Sequence, residues 1–344
     1  MIFVGDIAIP YAGAINFVGF PASLKEKIWI GNLEGAIVKK SQPRIHAVFN
    51  QDAAISDLLM NYNFKALLLA NNHILDTGNR EDTITFLAES KVKFAGLGAD
   101  IDDANKFFIL KEGDVEVVIV NFGWEVIQCK IASDSKEGVN PLRKQHVLDT
   151  VRDLIGRFPD KKVLPVFHWS YELEAEPQPF ERELAKKLID LGVVGVIGAH
   201  PHRIGGIEFY NGKPIIYSLG NWAFRQGYYH TGKLNFPDFC NEQLAFEWDF
   251  YSNEMTFHFF KYDKKEHVVS YVESSHDLNK ISNKYTKFGG LSDEEYCNWY
   301  RKNHYHKNKG LPIYYWNDSY WKVAMKNQTN KIRDFLLSVY LKFR

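Results

Sequence analysis

Residues 67–78 read Leu67-Leu68-Leu69-Ala70-Asn71-Asn72-His73-Ile74-Leu75-Asp76-Thr77-Gly78. A short apolar run breaks directly into two amides, an imidazole, an acid and a glycine. Such a run is the mark of a buried strand, and the polar cluster behind it marks a loop placed at the strand's end. The same grammar recurs on both sides of it. Strands are predicted at 2–5, 28–31, 66–70, 93–96, 115–121, 163–168, 193–198 and 214–219, and helices at 52–62, 79–90, 141–157 and 178–191. In the last helix Leu184, Leu188 and Leu191 recur at i, i+4 and i+7. Strands alternating with helices predict an α/β fold with substantially parallel sheets.

The texture changes after residue 243. Residues 243–250 and 255–262 read as a hairpin around Ser252-Asn253, and 268–272 as a further strand. Beyond 276 the chain is polar, aromatic and helical in pattern. We expect a domain of residues 1–265 followed by an aromatic, partly helical extension, 266–344. Residues 331–343 form a short basic amphipathic helix with Ile332, Phe335, Leu336, Val339 and Tyr340 on one face and Lys331, Arg333, Lys342 and Arg344 around it. Such a helix docks on its own domain, on a partner or on an anionic membrane, and the first is the commonest fate.

With 42 basic and 42 acidic residues among 344, the chain has no global field to attract nucleic acid, and no nucleic-acid partner is expected. Apolar residues (45%) and charged residues (24%) suit a globular chain with a sizeable core. Cys129, Cys240 and Cys297 are too far apart for a metal knuckle and odd in number, which suggests a reducing compartment. The N-terminus has no basic region ahead of its apolar residues, and no apolar stretch reaches a membrane span. The expectation is a cytoplasmic protein, with the C-terminal helix as its means of touching the inner face of the membrane.

Five segments place metal-competent side chains at or just after predicted strand ends, where open α/β sheets collect ligands. They are Gly5-Asp6, Asn32-Leu33-Glu34-Gly35, the Asn72-His73 loop, His168-Trp169-Ser170-Tyr171-Glu172 and His200-Pro201-His202. In extended backbone His200 and His202 would point opposite ways, so both reach one centre only if the loop turns there. His73 is placed to donate or accept a proton; Asp76 either orients an imidazole or caps the next helix. Asp6, Glu34, Asn72, His168, His200 and His202 mix imidazoles, carboxylates and one amide without a thiolate. That set suits divalent Mn, Fe or Zn, and its size fits two ions better than one. Arg203 would receive an anionic oxygen or make a surface salt bridge. Asn221 would line the cleft or cap a turn. Glu172, Glu174 and Glu176 read as a solvated acidic loop, and His304-Tyr305-His306 as an exposed turn.

The motifs GD at 5–6, NLEG at 32–35, ANNHILDTG at 70–78, GLGAD at 96–100, VNPL at 139–142, HWSYE at 168–172, GAHPH at 198–202 and YSLGNW at 217–222 occur in one order and spacing. Over about residues 1–225 the sequence resembles the bacterial capsule-synthesis proteins of the poly-γ-glutamate CapA type, within the calcineurin-like metallophosphoesterases. The resemblance implies a four-layer α-β-β-α sandwich. It implies that Asp6 and His202 bind one metal, that Asn72, His168 and His200 bind the other, and that Glu34 bridges or approaches both. His73 would be the general acid, oriented by Asp76. Asn32, Glu172, Arg203 and Asn221 would face an anionic small-molecule or polymer substrate. Three positions depart from the pattern. Ala8 stands where the wider superfamily has a histidine, Glu34 replaces its bridging aspartate, and Ser170 stands where the capsule family usually has glycine. The implied function is a metal-dependent hydrolase of capsule or surface-polymer biosynthesis. The rival is a non-catalytic assembly factor that keeps the fold and binds metal or an anionic polymer.

Overall fold

The computed structural model describes residues 1–39, 47–78 and 80–342, with side chains as far as residue 336. Two large sheets dominate. The nine-stranded sheet runs in the order Asn16–Val18, Val268–Ser275, Met255–Asp263, Glu242–Trp248, Ile2–Ala8, Trp29–Leu33, Phe64–Leu68, Lys93–Ala95, and Asn221–Phe224 also pairs with Ile2–Ala8. The six-stranded sheet runs Ile207–Tyr210, Lys213–Ile216, Val196–Ala199, Lys162–His168, Val115–Gly123, Phe108–Glu112. The strands that lead to the metal-competent residues, Ile2–Ala8, Trp29–Leu33, Phe64–Leu68, Lys162–His168 and Val196–Ala199, pair in parallel within their sheets. Antiparallel pairing joins Ile2–Ala8 to the meander of 242–275, runs through that meander, and forms both edges of the smaller sheet and the short pair Leu97–Gly98 with Gly138–Val139.

Strand alternation builds the layers. Phe3, Ile30, Leu68, Val117, Ile119, Leu164, Ile197, Phe246 and Phe257 form one buried cluster, which is the seam between the two sheets. Their alternates Ile2, Val4, Leu67, Val118, Val120 and Phe167 belong to a second cluster together with helix residues Ile55, Leu58, Val147, Val151, Leu184 and Leu188. Successive side chains on a strand point to opposite faces. Apolar residues in both sets mean that both faces are covered, which is why these strands read as continuous apolar runs. The result is the predicted four-layer α-β-β-α sandwich.

The division near residue 265 is corrected by the structure. It falls between Met255–Asp263 and Val268–Ser275, which pair antiparallel from Asp263↔Val268 to Phe257↔Ser275, so the sheet continues to residue 275. The extension proper is then Leu278–Tyr285, Asp293–Asn303 and Tyr320–Lys342, all helical. It adheres by aromatic burial: Phe288, Tyr296, Tyr300 and Tyr314 join the cluster that holds Leu184 and Leu188.

The C-terminal helix is longer than expected and lies the other way up. Ile332, Phe335 and Leu336 are 51%, 66% and 59% exposed, where burial against the domain is the leading expectation. Val339, Tyr340 and Lys342 have side chains outside the described residues, as does all of Arg344. Among the described residues, no helix is long and apolar enough to cross a membrane.

Candidate metal centre

The motif segments meet at one end of the sandwich because their strands are parallel and share the end at which they stop. Asp6 lies within Ile2–Ala8, at a register irregularity between Val4 and Asp6. Gly5 permits it: a Cβ there would stand 1.7 Å from the Gly220 carbonyl oxygen, which accepts a bond from the Asp6 amide. Glu34 follows Trp29–Leu33 directly. His168 ends Lys162–His168, and His200 follows Val196–Ala199. The turn required of the H-x-H segment is present, since His200 and His202 both hold positive φ, 100° and 59°. Ser170 also sits at positive φ, 66°. Glycine adopts that conformation without strain, which suits the glycine that the resemblance leads one to expect there.

Asp6, Glu34, His168, His200 and His202 are all buried. Donor atoms of Glu34, His168 and His200 lie within 4.8 Å of one another, and so do those of Asp6, Glu34 and His202. Glu34 belongs to both triads. The Asn72 side-chain oxygen lies 2.8 Å from His168 Nε2, which places that amide beside the first triad. His200 Nδ1 is 3.2 Å from His168 Nε2. His202 Nδ1 is 3.3 Å from Asp6 Oδ2, and its Nε2 is 3.6 Å from Glu34 Oε1. His73, at the rim, has Nδ1 2.7 Å from Asp76 Oδ2 and Nε2 3.7 Å from Glu34 Oε1. The same Asp76 oxygen also accepts from the Val48 amide at 3.4 Å.

Burial sets the protonation. Desolvation raises the Asp6 carboxyl to about 7, against hydrogen bonds from Asn32 and the His200 amide. It raises Glu34 well above the usual carboxylate range, reinforced by the charges of Asp6, Glu172 and Asp76. It lowers His168 and His200 far below the usual imidazole value, and His202 to about 3. The imidazoles are therefore neutral, the form that binds metals. Neither carboxylate oxygen of Glu34 has a hydrogen-bond partner. A buried polar group without a hydrogen bond is costly, and cations held by the two triads would complete it. The residues present fit divalent metal binding.

The four residues expected to face substrate are placed differently from one another. Glu172 lines a cleft of about 340 Å³ together with Asn72, His73, His200 and His202. Asn32 is buried and donates to Asp6 Oδ1 at 2.8 Å, so it holds the Asp6 carboxylate and does not line the cleft. Asn221 is also buried, with its oxygen 2.9 Å from His202 Nδ1; it neither caps nor faces the cleft. Arg203 stacks on Phe239 at 4.2 Å and reaches the Leu173 carbonyl, not a carboxylate.

Two loop expectations are overturned. Glu174 is buried and accepts from the Tyr305 amide at 2.9 Å, so the acidic loop is a docking point for the extension. His304 and His306 are buried, not exposed; the His306 imidazole bonds the Glu172 carbonyl at 2.5 Å. The extension walls the cleft through His306, Lys309, Asn330, Arg333 and Asp334, residues that the sequence reading did not name as cleft-lining. Nor did that reading name Phe236, whose ring stacks on His202 at 4.2 Å. None of these lies at a strand end, so the rule that found the other donors passes over them.

Residues 20–226 match the family described as bacterial capsule synthesis protein PGA_cap. The "PGA biosynthesis protein CapA" of Bacillus subtilis (strain 168) is 30% identical over 210 residues, covering 58% of this chain and 54% of the relative. The "Capsule biosynthesis protein CapA" of Bacillus anthracis is 30% identical over 179 residues, covering 49% and 42%. The chain thus spans about half the length of these curated relatives. A 5'-nucleotidase precursor from Thermus thermophilus aligns at 13% identity and a TM-score of 0.41, covering 80% of this chain and 53% of that one. That likeness is too slight to carry the fold, which rests on the sheet order itself. Matched over more than half its length by a region that supplies Glu34, Asn72, His73, His168, His200 and His202, the chain belongs to the bacterial capsule synthesis protein family, PGA_cap.

Proposed function

We propose that the chain is a metal-dependent hydrolase of an anionic substrate, a phosphoester or a capsule-type polymer, acting in capsule or surface-polymer biosynthesis. The observation that carries the reading is Glu34: a buried carboxylate common to two donor triads, with both oxygens unpartnered. The names of the Bacillus relatives point to poly-γ-glutamate or capsule assembly as the setting. Asp6, Glu34 and His202 would hold one divalent ion, and Glu34, Asn72, His168 and His200 the other. Bound there, Mn, Fe or Zn supplies Lewis-acid charge at the reacting oxygen. The chain's own residues do the rest. Asp76 holds His73 Nδ1 and leaves Nε2 facing Glu34 at the rim, where it is placed to give a proton to a departing oxygen. Asn32 and Asn221 fix the orientation of Asp6 and His202, as outer-shell partners do in metal sites.

The test is elemental analysis of protein purified without chelator or affinity-tag metal, paired with an assay on aryl phosphate and on poly-γ-glutamate. Near two transition-metal equivalents and turnover of either substrate are expected, both reduced in Glu34→Gln. Ala8 favours the second reading, a non-catalytic assembly factor. It is buried and pairs in register with Phe224 where the superfamily supplies a donor. Fewer than two equivalents together with no turnover would establish that reading.

A further inference from the structure

The helix Tyr320–Lys342 is amphipathic in an inverted sense. Its buried or half-buried positions are Val323, Lys326, Asn327, Asn330, Arg333 and Asp334, a stripe at i, i+3, i+4, i+7, i+10 and i+11 that is almost wholly polar. Hydrogen bonds hold this stripe down. Asn330 donates to Tyr171 and Tyr314 at 3.1 and 3.0 Å, Asn327 donates to Glu125 at 3.2 Å, and Gln128 donates to Asp334 at 3.3 Å. On the opposite side stand Trp321, Met325, Ile332 and Leu336, exposed by 76%, 64%, 51% and 59%. At 100° per residue these four fall within about 60° of arc, one continuous apolar stripe. Away from this helix the exposed large apolar side chains are, among the described residues, Val18, Met60, Phe239, Tyr251, Val272 and Tyr305, of which Phe239 and Tyr305 touch as a pair. A contiguous patch marks an interaction site, whereas scattered residues do not.

Charge selects the partner. Residues 320–342 carry Lys322, Lys326, Lys331, Arg333 and Lys342 against the single acid Asp334. Lys322 and Lys331 are exposed and fall on opposite sides of the apolar stripe. Long basic side chains beside an apolar stripe reach headgroup phosphates while the stripe enters the acyl boundary. We infer that this helix seats the protein on an anionic lipid surface through Trp321, Met325, Ile332 and Leu336, flanked by Lys322 and Lys331. Its other side contributes Asn330, Arg333 and Asp334 to the cleft wall, so the cleft lies across one helix from the lipid.

Co-sedimentation of the full chain with phosphatidylcholine vesicles, with and without phosphatidylglycerol, tests this without reference to any catalytic activity. The chain is expected to pellet only with the anionic vesicles and to be released by high salt. Ile332→Glu with Leu336→Glu, both at exposed positions, should abolish pelleting while circular dichroism and thermal unfolding stay unchanged. Lys322→Glu with Lys331→Glu should weaken it roughly tenfold or more. A wild-type chain that stays in the supernatant with anionic vesicles overturns the inference. So does a dimer in light scattering that Ile332→Glu with Leu336→Glu dissociates, since the face would then belong to a second copy.

Discussion

Two buried charged clusters in this molecule are built to opposite ends. Around Arg182 every group is satisfied. Its guanidinium donates to both Glu208 oxygens at 2.8–3.2 Å, to Asp293 at 3.2 Å and to the Leu291 carbonyl at 3.0 Å. Tyr217 donates to Glu208 at 2.8 Å, and Tyr296 lies under the guanidinium at 4.7 Å. Around Glu34 the imidazoles of His73 and His202 stand 3.6–3.7 Å from one carboxylate oxygen, but neither oxygen accepts a hydrogen bond. The Arg182 cluster joins the extension to the sandwich and is finished. The Glu34 cluster is finished only by something from outside. Completeness of hydrogen bonding, not burial or charge, separates the Arg182 cluster from the proposed metal centre.

The sharpest way to break that comparison is kinetic. His73→Ala should lower turnover roughly 10²–10⁴-fold, the usual range for a positioned acid, while metal content and unfolding midpoint stay level. Loss of metal in that variant would make His73 a ligand, and unchanged turnover would remove it from the mechanism. Next in size is Glu208→Gln. Leaving Arg182 buried without its partner should cost about 3–5 kcal/mol, read from urea unfolding. A cost below about 1 kcal/mol would mean that the extension is held by aromatic burial alone. The mirror experiment is Glu34→Gln in chelator-treated protein. With no cation present, replacing an unpaired buried carboxyl by a neutral amide should stabilise the fold by about 1–3 kcal/mol. Destabilisation of that size would place Glu34 in the same class as Glu208.

The smallest effect belongs to a half-buried cluster between these extremes. Glu247 is 3.0 Å from His258 Nε2 and accepts from Lys27 at 2.7 Å. The His258 hydrogen bond, then that of Lys27, lowers its carboxyl to about 2. A depressed carboxyl contributes stability that is present above its unfolded value, near 4.5, and lost as pH falls towards 2. Glu247→Gln should therefore flatten the stability profile across that window and cost about 1 kcal/mol at neutral pH. An unchanged acid limb would refute the contribution.

Much of the candidate centre was legible because it obeys a local rule: a donor just beyond an apolar strand. Parallel strands end together, so donors found one segment at a time had to converge. Asn32 and Asn221 were found for the same reason, but their work of holding Asp6 and His202 depends on atom positions that spacing does not encode. The fold's layers were legible too, since strands covered on both faces lose the alternation of half-exposed ones. The turn at His200 and His202 was required by the chemistry before it was seen, and positive φ supplies it.

By itself the sequence determined the α/β alternation, the two-sided burial of the strands and the donor set, because each depends on residues close together in the chain. Tertiary structure alone decided which way the C-terminal helix faces and that its polar side walls the cleft. An amphipathic pattern states that a helix has two faces. Which of them meets the protein depends on the groups already waiting there. Here those groups are the hydroxyls of Tyr171 and Tyr314 and the carboxylate of Glu125. The bonds they form with Asn327 and Asn330 turn the polar face inward and leave the apolar one outside.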